Sequence, residues 1–174
     1  MTEFTRLTEK DLRSIELQES QKTVLGMPGG VSDEALPHYL AAPQAWACRV
    51  ATRDGGARLI ACFGVVEQIA GRQGVAWALL AKGLGHAHVA LTRRARAAVA
   101  DSGLPRVEAL VRAPDIEALL ADRPWLDAGQ RVSLALATPT PEMRWAETVG
   151  LTPAHLLRRF GPSGETVMLY ERFA

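Results

Sequence analysis

The chain has 174 residues, of which 48% are hydrophobic, and its formal net charge is +1. This length and composition suit one globular domain with one substantial core, and the nearly neutral charge gives no reason to expect a nucleic-acid partner. No apolar run reaches membrane-spanning length, so we expect no membrane partner. Two cysteines are too few for a disulfide scaffold, and the first residues lack the pattern of a secretory signal, which together indicate a cytoplasmic protein.

The first half of the chain predicts a strand, two helices and then three antiparallel strands. Residues Phe4 to Leu7 alternate like a short strand, and Thr8 begins a helix that runs on to Glu19. Ser32 begins a second, short helix that includes Tyr39. Apolar runs bounded by glycine-rich turns then predict three strands in a meander, at Ala45 to Thr52, Arg58 to Glu67 and Val75 to Leu80.

The second half predicts a long helix, a strand parallel to the last strand of the meander, and a closing hairpin. The long helix ends near Ser102, and the strand from Arg106 to Arg112 completes a crossover connection. Residues 114–139 predict one or two short helices around Trp125, and Thr140 caps a helix from Pro141 to Val149. The hairpin strands are predicted at Leu156 to Phe160 and Thr166 to Phe173. The fold class is therefore α/β, of the mixed α+β kind: a central, mostly antiparallel twisted sheet of about seven strands, flanked by helices.

The turn between the third meander strand and the long helix has the pattern of a phosphate-binding loop. Gly83 and Gly85 allow a tight turn and close approach of a ligand. The first N–H groups of the helix and the positive end of its dipole then favour an anion. The same residues also suit an ordinary strand-to-helix connection, and the motif alone leaves both interpretations open. A dinucleotide fingerprint is disfavoured because His88 stands where a further glycine is needed.

Other residues that could carry chemistry are better explained by structure. His86 and His88 are two positions apart and diverge on a helix, so we expect no metal site. Cys48 and Cys62 lie in apolar strand runs and are predicted to be core residues rather than nucleophiles. The four tryptophans are predicted to be core or interface anchors, and they are Trp46, Trp77, Trp125 and Trp145.

The order of elements and three stretches of sequence resemble the GCN5-related N-acetyltransferase (GNAT) superfamily over almost the whole chain. The stretches are Phe4 to Leu12, Lys82 to Ala87, and Trp145 to Arg172, in which a helix, a glycine and a hairpin close the chain. The resemblance implies one GNAT-like acyltransferase domain over residues 1–174 and acetyl-CoA (coenzyme A) as cofactor. The chain is also similar, more weakly, to the GNAT-like proteins encoded by tailed bacteriophages.

The resemblance also implies where the cofactor binds. In the family, the strand before the turn pairs with the pantetheine arm, and the turn holds the pyrophosphate. Gly83 and Gly85 match the family motif, whereas Leu80 stands where the family has glutamine or arginine. The implied cofactor-binding residues are Ala78, Leu79, Leu80, Lys82, Gly83, Leu84, Gly85, His86 and Ala87.

The family's catalytic residues are less well matched. Ala146 stands where many members carry the tyrosine that protonates the leaving thiolate, and the chain contains no asparagine, a residue that the family tends to carry after the fifth strand. By resemblance, Glu67 is the carboxylate available as general base, next to a turn. His86, Tyr39 or a water molecule are substitutes for the missing acid.

Two functions from different classes follow from this resemblance. The first is an acetyl-CoA-dependent N-acyltransferase that acetylates a small-molecule or peptide amine by direct transfer. The alternative is a catalytically inactive GNAT-fold binding or assembly protein, with a bacteriophage assembly partner and a place in the virion. Ala146 and the lack of asparagine favour the alternative. A homodimer is a further expectation, because a closing hairpin and an exposed tryptophan would suit one.

Overall fold

The expected mixed α/β fold with a mostly antiparallel sheet is confirmed. A computed structural model describes residues 2–174, apart from the side chains of Thr23 and Val24. The described strands form one seven-stranded sheet in the order β1-β2-β3-β4-β5-β7-β6. Their bounds are β1 Thr2–Arg6, β2 Gln44–Ala51, β3 Ala57–Ile69, β4 Gln73–Leu80, β5 Arg106–Arg112, β6 Thr152–Leu157 and β7 Val167–Phe173. The helices are α1 Glu9–Ser14, α2 Glu19–Val24, α3 Leu36–Leu40, α4 Ala87–Ala100, α5 Glu117–Ala121, α6 Ala128–Leu136 and α7 Pro141–Val149.

Helices cover both faces of this sheet. α4 and α7 pack on one face, over a large apolar cluster that includes Cys48 and Phe63. α1 and α3 pack on the other face, over a smaller cluster that includes Cys62 and Leu79. Because side chains alternate between the faces of a strand, a central strand must be apolar at successive positions. β3 shows this pattern, since it is buried without interruption from Ile60 to Val66.

The predicted meander and the parallel crossover are both confirmed. β2, β3 and β4 pair in antiparallel fashion, and α4 connects β4 to the parallel strand β5. Gly74 allows close packing where β4 and β5 meet, because a Cβ built there would lie 2.5 Å from Leu104 Cδ1 and 2.9 Å from Val65 Cγ1. A side chain at this position would therefore force the sheet and the segment after α4 apart.

Two sequence expectations differ from the structure. The single helix predicted from Thr8 to Glu19 is divided into α1 and α2, because Leu17 is buried and forms a β-bridge with Ala81. Strand β6 starts four residues before the prediction, at Thr152, two residues after Gly150 ends α7. Its proline, Pro153, is tolerated because β6 is an edge strand that pairs only with β7.

The region around Trp125 contains two short helices, α5 and α6, as predicted. Trp125 itself is not a core residue, since 74% of its surface is exposed. It lies in the connection between the two helices, where most of its ring is open to solvent. Among the described helices, none has the length and apolar character needed to cross a membrane.

The capping box that begins α1 has a buried carboxylate, which also takes part in an ion pair. The Asp11 carboxylate accepts hydrogen bonds from the backbone N–H and the hydroxyl of Thr8, at 2.9 and 2.7 Å. It also pairs with the Arg49 guanidinium of β2, which donates a further bond to Thr5 Oγ1 at 2.7 Å. Asp11 is 2% exposed, so this one carboxylate fixes α1 against the first two strands. Asp127 forms the same kind of capping box at the start of α6, but on the exposed surface.

We expect Asp11→Ala to reduce the free energy of unfolding by about 3 kcal/mol, because it leaves a partly buried guanidinium without its partner. The matched control Asp127→Ala removes an exposed cap and should cost about 1 kcal/mol. Urea denaturation of both variants measures the difference. Equal losses would show that burial of the Asp11–Arg49 pair adds nothing to the cap.

The two cysteines lie in the core on opposite faces of the sheet, as free thiols. Burial raises the pKa of Cys48 to about 11 and that of Cys62 to about 12, from an ordinary value of 9.0. Both thiols are therefore protonated at neutral pH, and a thiolate nucleophile is disfavoured at either position. The prediction that they are core residues is confirmed.

These raised pKa values predict a loss of stability at alkaline pH. Below pH 9 the thiols are protonated in both states and contribute no pH dependence. Between pH 9 and about 11 the unfolded chain loses thiol protons that the folded chain retains, so the free energy of unfolding falls. Denaturation at pH 8 and pH 10 should show this fall in the parent protein. A Cys48→Ala, Cys62→Ala double variant should show a smaller fall, and an equal one would contradict the assignment.

Candidate functional site

A cleft opens in the sheet where β4 and β5 separate. Their parallel ladder joins only Gln73 to Arg106, Gly74 to Val107 and Val75 to Glu108. Beyond this point β5 continues to pair with β7 along its whole length, whereas the second half of β4 has lost its neighbour on that side. The split leaves backbone N–H and C=O groups of β4 available to something other than a strand.

The cleft has a volume of about 310 Å³ and is lined from both faces of the sheet. α4 and α7 form one wall, and residues of α2 and α3 form the other. Most of the lining is apolar, which is typical of ligand sites with a few placed polar groups. The polar side chains that line it are Ser20, Gln21, His38, Tyr39, Arg112 and Glu142, with the indole rings of Trp77 and Trp145.

The glycine turn lies just after the cleft residue Leu80 and presents free amides. Gly83 and Gly85 both have positive φ, at 72° and 53°, which explains the need for glycine at both positions. Arg58 donates to the carbonyls of Lys82 and Gly83 at 2.9 and 2.8 Å, and thereby fixes the turn and places a guanidinium beside it. Among the described residues, no partner accepts from the N–H groups of positions 83–86.

The helix that follows the turn has no cap of its own. α4 is the longest helix, with 14 residues, yet His86 at its N-cap makes no capping bond and its first turn contains no acid. α1, α6 and α7 all begin with a capping side chain. An uncapped N-terminus next to free amides is the arrangement in which proteins bind phosphate.

The structure brings some of the predicted site residues together and separates others. Ala78, Leu79 and Leu80 line the cleft, whereas the turn residues from Lys82 to Ala87 lie beyond its lining. Lys82 and His86 are exposed, and the Lys82 ammonium pairs with Glu19 at 3.1 Å. The cleft is therefore bordered by the end of β4, and the glycine turn follows it in the chain, before α4 begins.

Glu67 lies outside this arrangement. It is at the opposite end of β4 from the glycine turn, where it stands across from Gly74 in the β3–β4 ladder. Its side chain is exposed and accepts the N–H of Gly71 at 3.1 Å, so it caps the hairpin turn. Its role as general base stays a prediction, and this placement disfavours it.

Two charged side chains line the cleft: Arg112 at the end of β5 and Glu142 in the first turn of α7. Thr140, the N-cap of α7, donates to Arg112 O at 2.8 Å and so fixes the start of α7 to the end of β5. This contact brings Arg112 Nη2 to 3.5 Å from Glu142 Oε1. Arg112 Nε and Glu142 Oε2 are buried but have no hydrogen-bond partner among the described residues. Unpaired buried polar atoms are costly, which makes them candidates for contact with a polar ligand.

Tyr39 supplies a hydroxyl to the opposite wall. Its ring packs against Trp77 with 4.6 Å between ring centroids, and the residue is 8% exposed. Burial raises the pKa of the hydroxyl, so it remains protonated at neutral pH. Among the described residues it has no hydrogen-bond partner. Ala146, at the position of the family's tyrosine, is buried in the α7 wall of the same cleft.

Trp145 links the two helices behind the cleft. Its indole N–H donates to Thr92 Oγ1 at 2.9 Å, and the Thr92 hydroxyl donates in turn to His88 O at 2.8 Å, in the first turn of α4. The wall formed by α7 and the start of α4 near the glycine turn are therefore connected by hydrogen bonds. Trp145 is a half-buried anchor, as predicted from its residue type.

Four residues of the site have no signal in the sequence. Arg58, Arg112 and Glu142 are ordinary charged residues at the ends of predicted elements, and their partners are distant or in other elements. Gln21 is the fourth: its carboxamide donates to Ala78 O at 2.9 Å and accepts the N–H of Leu80 at 2.6 Å. Only the separation of β4 from β5 makes these residues neighbours of one cleft.

Comparison with known proteins reveals similarity in structure but not in sequence. No protein-family model and no curated protein matches the chain. A GNAT-family acetyltransferase from Bacillus anthracis is similar with a TM-score of 0.58 and 14% identity, over 99% of this chain and 94% of that one. The aminoglycoside 6'-N-acetyltransferase from Enterococcus faecium is similar with a TM-score of 0.62 and 13% identity, over 99% of this chain and 96% of that one. Spermidine N-acetyltransferase from Vibrio cholerae, in complex with CoA and spermine, is similar with a TM-score of 0.57 and 13% identity, over 99% of this chain and 95% of that one.

At these identities the comparison establishes the fold and nothing finer. The similar structures extend over nearly the full length of both chains, so the whole element order is shared rather than one motif. The fold of this chain is that of the GNAT N-acetyltransferases.

Proposed function

We propose that this chain is an N-acyltransferase that uses acetyl-CoA and transfers its acetyl group directly to an amine. One observation carries the proposal: the split between β4 and β5 leads straight into a glycine turn with free amides and an uncapped helix. A strand edge followed by an anion site suits an extended ligand with amide groups at one end and phosphates at the other.

The residues present fit such a cofactor at the turn. The N–H groups of positions 83–86 point to no partner in the described chain, and Lys82 and Arg58 supply positive charge beside them. These residues would hold the pyrophosphate. The edge of β4 from Ala76 to Leu80 would hold the pantetheine arm, with the N–H of Ala78 available to polarise a carbonyl. Acetyl-CoA, when bound, supplies a thioester that is reactive toward amines.

Two side chains of the cleft can move or hold the protons of the transfer. Glu142 is the sole carboxylate among the described residues that line the cleft, and it is suited to accept the proton that the attacking amine loses. Tyr39 retains its proton at neutral pH and is suited to donate a hydrogen bond to the thiolate as the carbon–sulfur bond breaks. They lie on opposite walls of the cleft. Glu142 is thus available for the proton that the amine loses, and Tyr39 for the hydrogen bond to the thiolate.

The acceptor amine is proposed to enter from the side of α2 and α3. The cleft is lined from both faces of the sheet, which gives two substrates separate approaches to one reacting centre. The structurally similar enzymes named above are described as acting on spermidine and on aminoglycosides. Polyamines and aminoglycosides are therefore the first acceptors to test here, followed by peptide amines.

A second candidate function is a GNAT-fold protein that binds a ligand or a partner without turnover. The observation that favours it is Ala146, which removes the family's tyrosine from the cleft wall. Residues 2–174 also contain no group of three or more potential metal ligands that could supply an alternative catalyst. A bacteriophage assembly partner and a virion location stay predictions within this alternative, and a homodimer stays a prediction for either function.

CoA at about one hundred times its dissociation constant should raise the free energy of unfolding by about 2.7 kcal/mol. Gly83→Glu should abolish this gain, because it places a carboxylate against the proposed pyrophosphate site. The matched control is Gly103→Glu at the other end of α4, where φ is 70° and the backbone strain is similar. Thermal denaturation with and without CoA measures all three proteins.

The control variant should lose stability but keep the full gain with CoA. Absence of any gain in the parent protein at millimolar CoA would eliminate the cofactor proposal. A gain that persists in Gly83→Glu would remove the glycine turn from the binding site and leave the edge of β4 as the contact.

Tyr39→Phe should slow acetyl transfer by about tenfold to a hundredfold, since it removes one proton donor but no packing. Release of free thiol from acetyl-CoA in the presence of spermine or an aminoglycoside measures the rate. The other tyrosine of the chain gives a matched control, because the Tyr170 hydroxyl donates to Glu147 at 3.2 Å, away from the cleft. We expect Tyr170→Phe to change the rate by less than about twofold. Equal effects of the two substitutions would remove Tyr39 from the mechanism.

A further inference from the structure

The free edge of β4 is occupied in this structure by a side chain of the protein itself. Gln21 of α2 donates from Nε2 to Ala78 O at 2.9 Å and accepts the N–H of Leu80 on Oε1 at 2.6 Å. Both backbone groups belong to the half of β4 that β5 has left. Gln21 itself is half-buried and lines the cleft.

The two bonds have the pattern of a parallel β-ladder. In such a ladder, one residue donates its N–H to the carbonyl of one position and accepts from the N–H two positions further along the neighbouring strand. The Gln21 carboxamide makes this pair of bonds to Ala78 and Leu80. It therefore continues, with one side-chain amide, the parallel ladder that β5 ends at Val75.

The segment before Gln21 holds α2 against the same end of β4. The backbone N–H of Gln18 donates to Leu80 O at 3.0 Å, and the Gln18 side chain donates to Ala81 O at 3.1 Å. Leu17 is buried and bridges to Ala81. Gln21 is thus delivered to the strand edge by a docked segment, and its position does not depend on its own two bonds alone.

We propose that Gln21 is an internal competitor for the amide-binding edge of β4 and so sets the affinity of the site for the pantetheine arm. The inference rests on the proposed function, because it takes the pantetheine amides as the incoming ligand. A pantetheine arm that donates from the N–H of one of its amides to Ala78 O, and accepts from Leu80 N on the carbonyl of the other, must first displace the Gln21 carboxamide, because that carboxamide already bonds both backbone groups. Rotation of the Gln21 side chain toward the solvent opens the edge without undocking α2.

The exchange is nearly balanced in hydrogen bonds, which is why removal of the competitor should be measurable. In Gln21→Ala the ligand-free edge is hydrated instead of bonded to protein, and the ligand then displaces water alone. We expect about tenfold tighter binding of CoA, which corresponds to about 1.4 kcal/mol. Alanine is a good helix former, so the substitution leaves α2 intact.

Calorimetric titration of the purified full-length chain with three probes tests the proposal. CoA carries both the amide arm and the phosphates, pantetheine carries only the amide arm, and adenosine diphosphate carries only the phosphates. We expect Gln21→Ala to increase the affinity for CoA and for pantetheine by a similar factor, and to leave the affinity for adenosine diphosphate unchanged. Gln18→Ala is the matched control, because it removes a glutamine one turn earlier that bonds Ala81 O, outside the Ala78 and Leu80 pair. The affinities of Gln18→Ala for the three probes should stay within about twofold of those of the parent protein.

The outcomes separate this inference from the proposed function. If CoA binds the parent and Gln21→Ala equally, Gln21 does not compete and the cofactor proposal stands. If Gln21→Ala binds CoA or pantetheine more weakly, Gln21 is a ligand contact rather than a competitor, and the inference is wrong. If the affinity for adenosine diphosphate increases as much as that for CoA, the effect arises at the turn and not at the strand edge. That result would also overturn the inference. If neither protein binds CoA, the proposed function fails and this inference fails with it.

Discussion

The loss of pairing between β4 and β5 is the constraint on which the candidate site depends. Two parallel strands that share only three pairs leave the rest of one strand without a partner, and unpaired backbone groups inside a protein must be bonded elsewhere. β5 meets this requirement by pairing with β7 along its full length. β4 has no such strand, so its groups are bonded by a side chain, exposed to the cleft, or left for a ligand.

The elements around the split serve to hold it open and to furnish its walls. Gly74 lets Leu104 pack closely at the joined end, while Thr140 fixes the start of α7 to the last carbonyl of β5. Trp145 connects α7 to the first turn of α4 through Thr92. The cleft wall and the glycine turn are therefore parts of one hydrogen-bonded unit, and a ligand that contacts both would find them already positioned.

The chemistry of the site is distributed differently from what the family resemblance alone suggests. The family's tyrosine position carries Ala146, and Glu67 caps the β3–β4 turn, at the opposite end of β4 from the glycine turn. The cleft instead presents Tyr39 on one wall and Glu142 with Arg112 on the other. Tyr39 is one of the substitutes expected for the missing acid, whereas Glu142 and Arg112 come from elements in which no site residue was expected. The proposed transferase activity therefore rests on the cavity, and the fold supports it without deciding it.

Local chemistry in the sequence determined much of this protein. Glycines, prolines and capping residues mark α7, the β4–turn–α4 connection and the meander, because each acts on its own backbone within a few residues. The broken first helix was not predictable, since burial of Leu17 and its bridge to Ala81 outweigh a continuous helical pattern. Gln21 and Leu80 are 59 positions apart, and Arg58 and Gly83 are 25 apart. Tertiary structure alone decided these contacts, because hydrogen bonding between distant residues depends on how the strands are arranged and leaves no local pattern in the sequence.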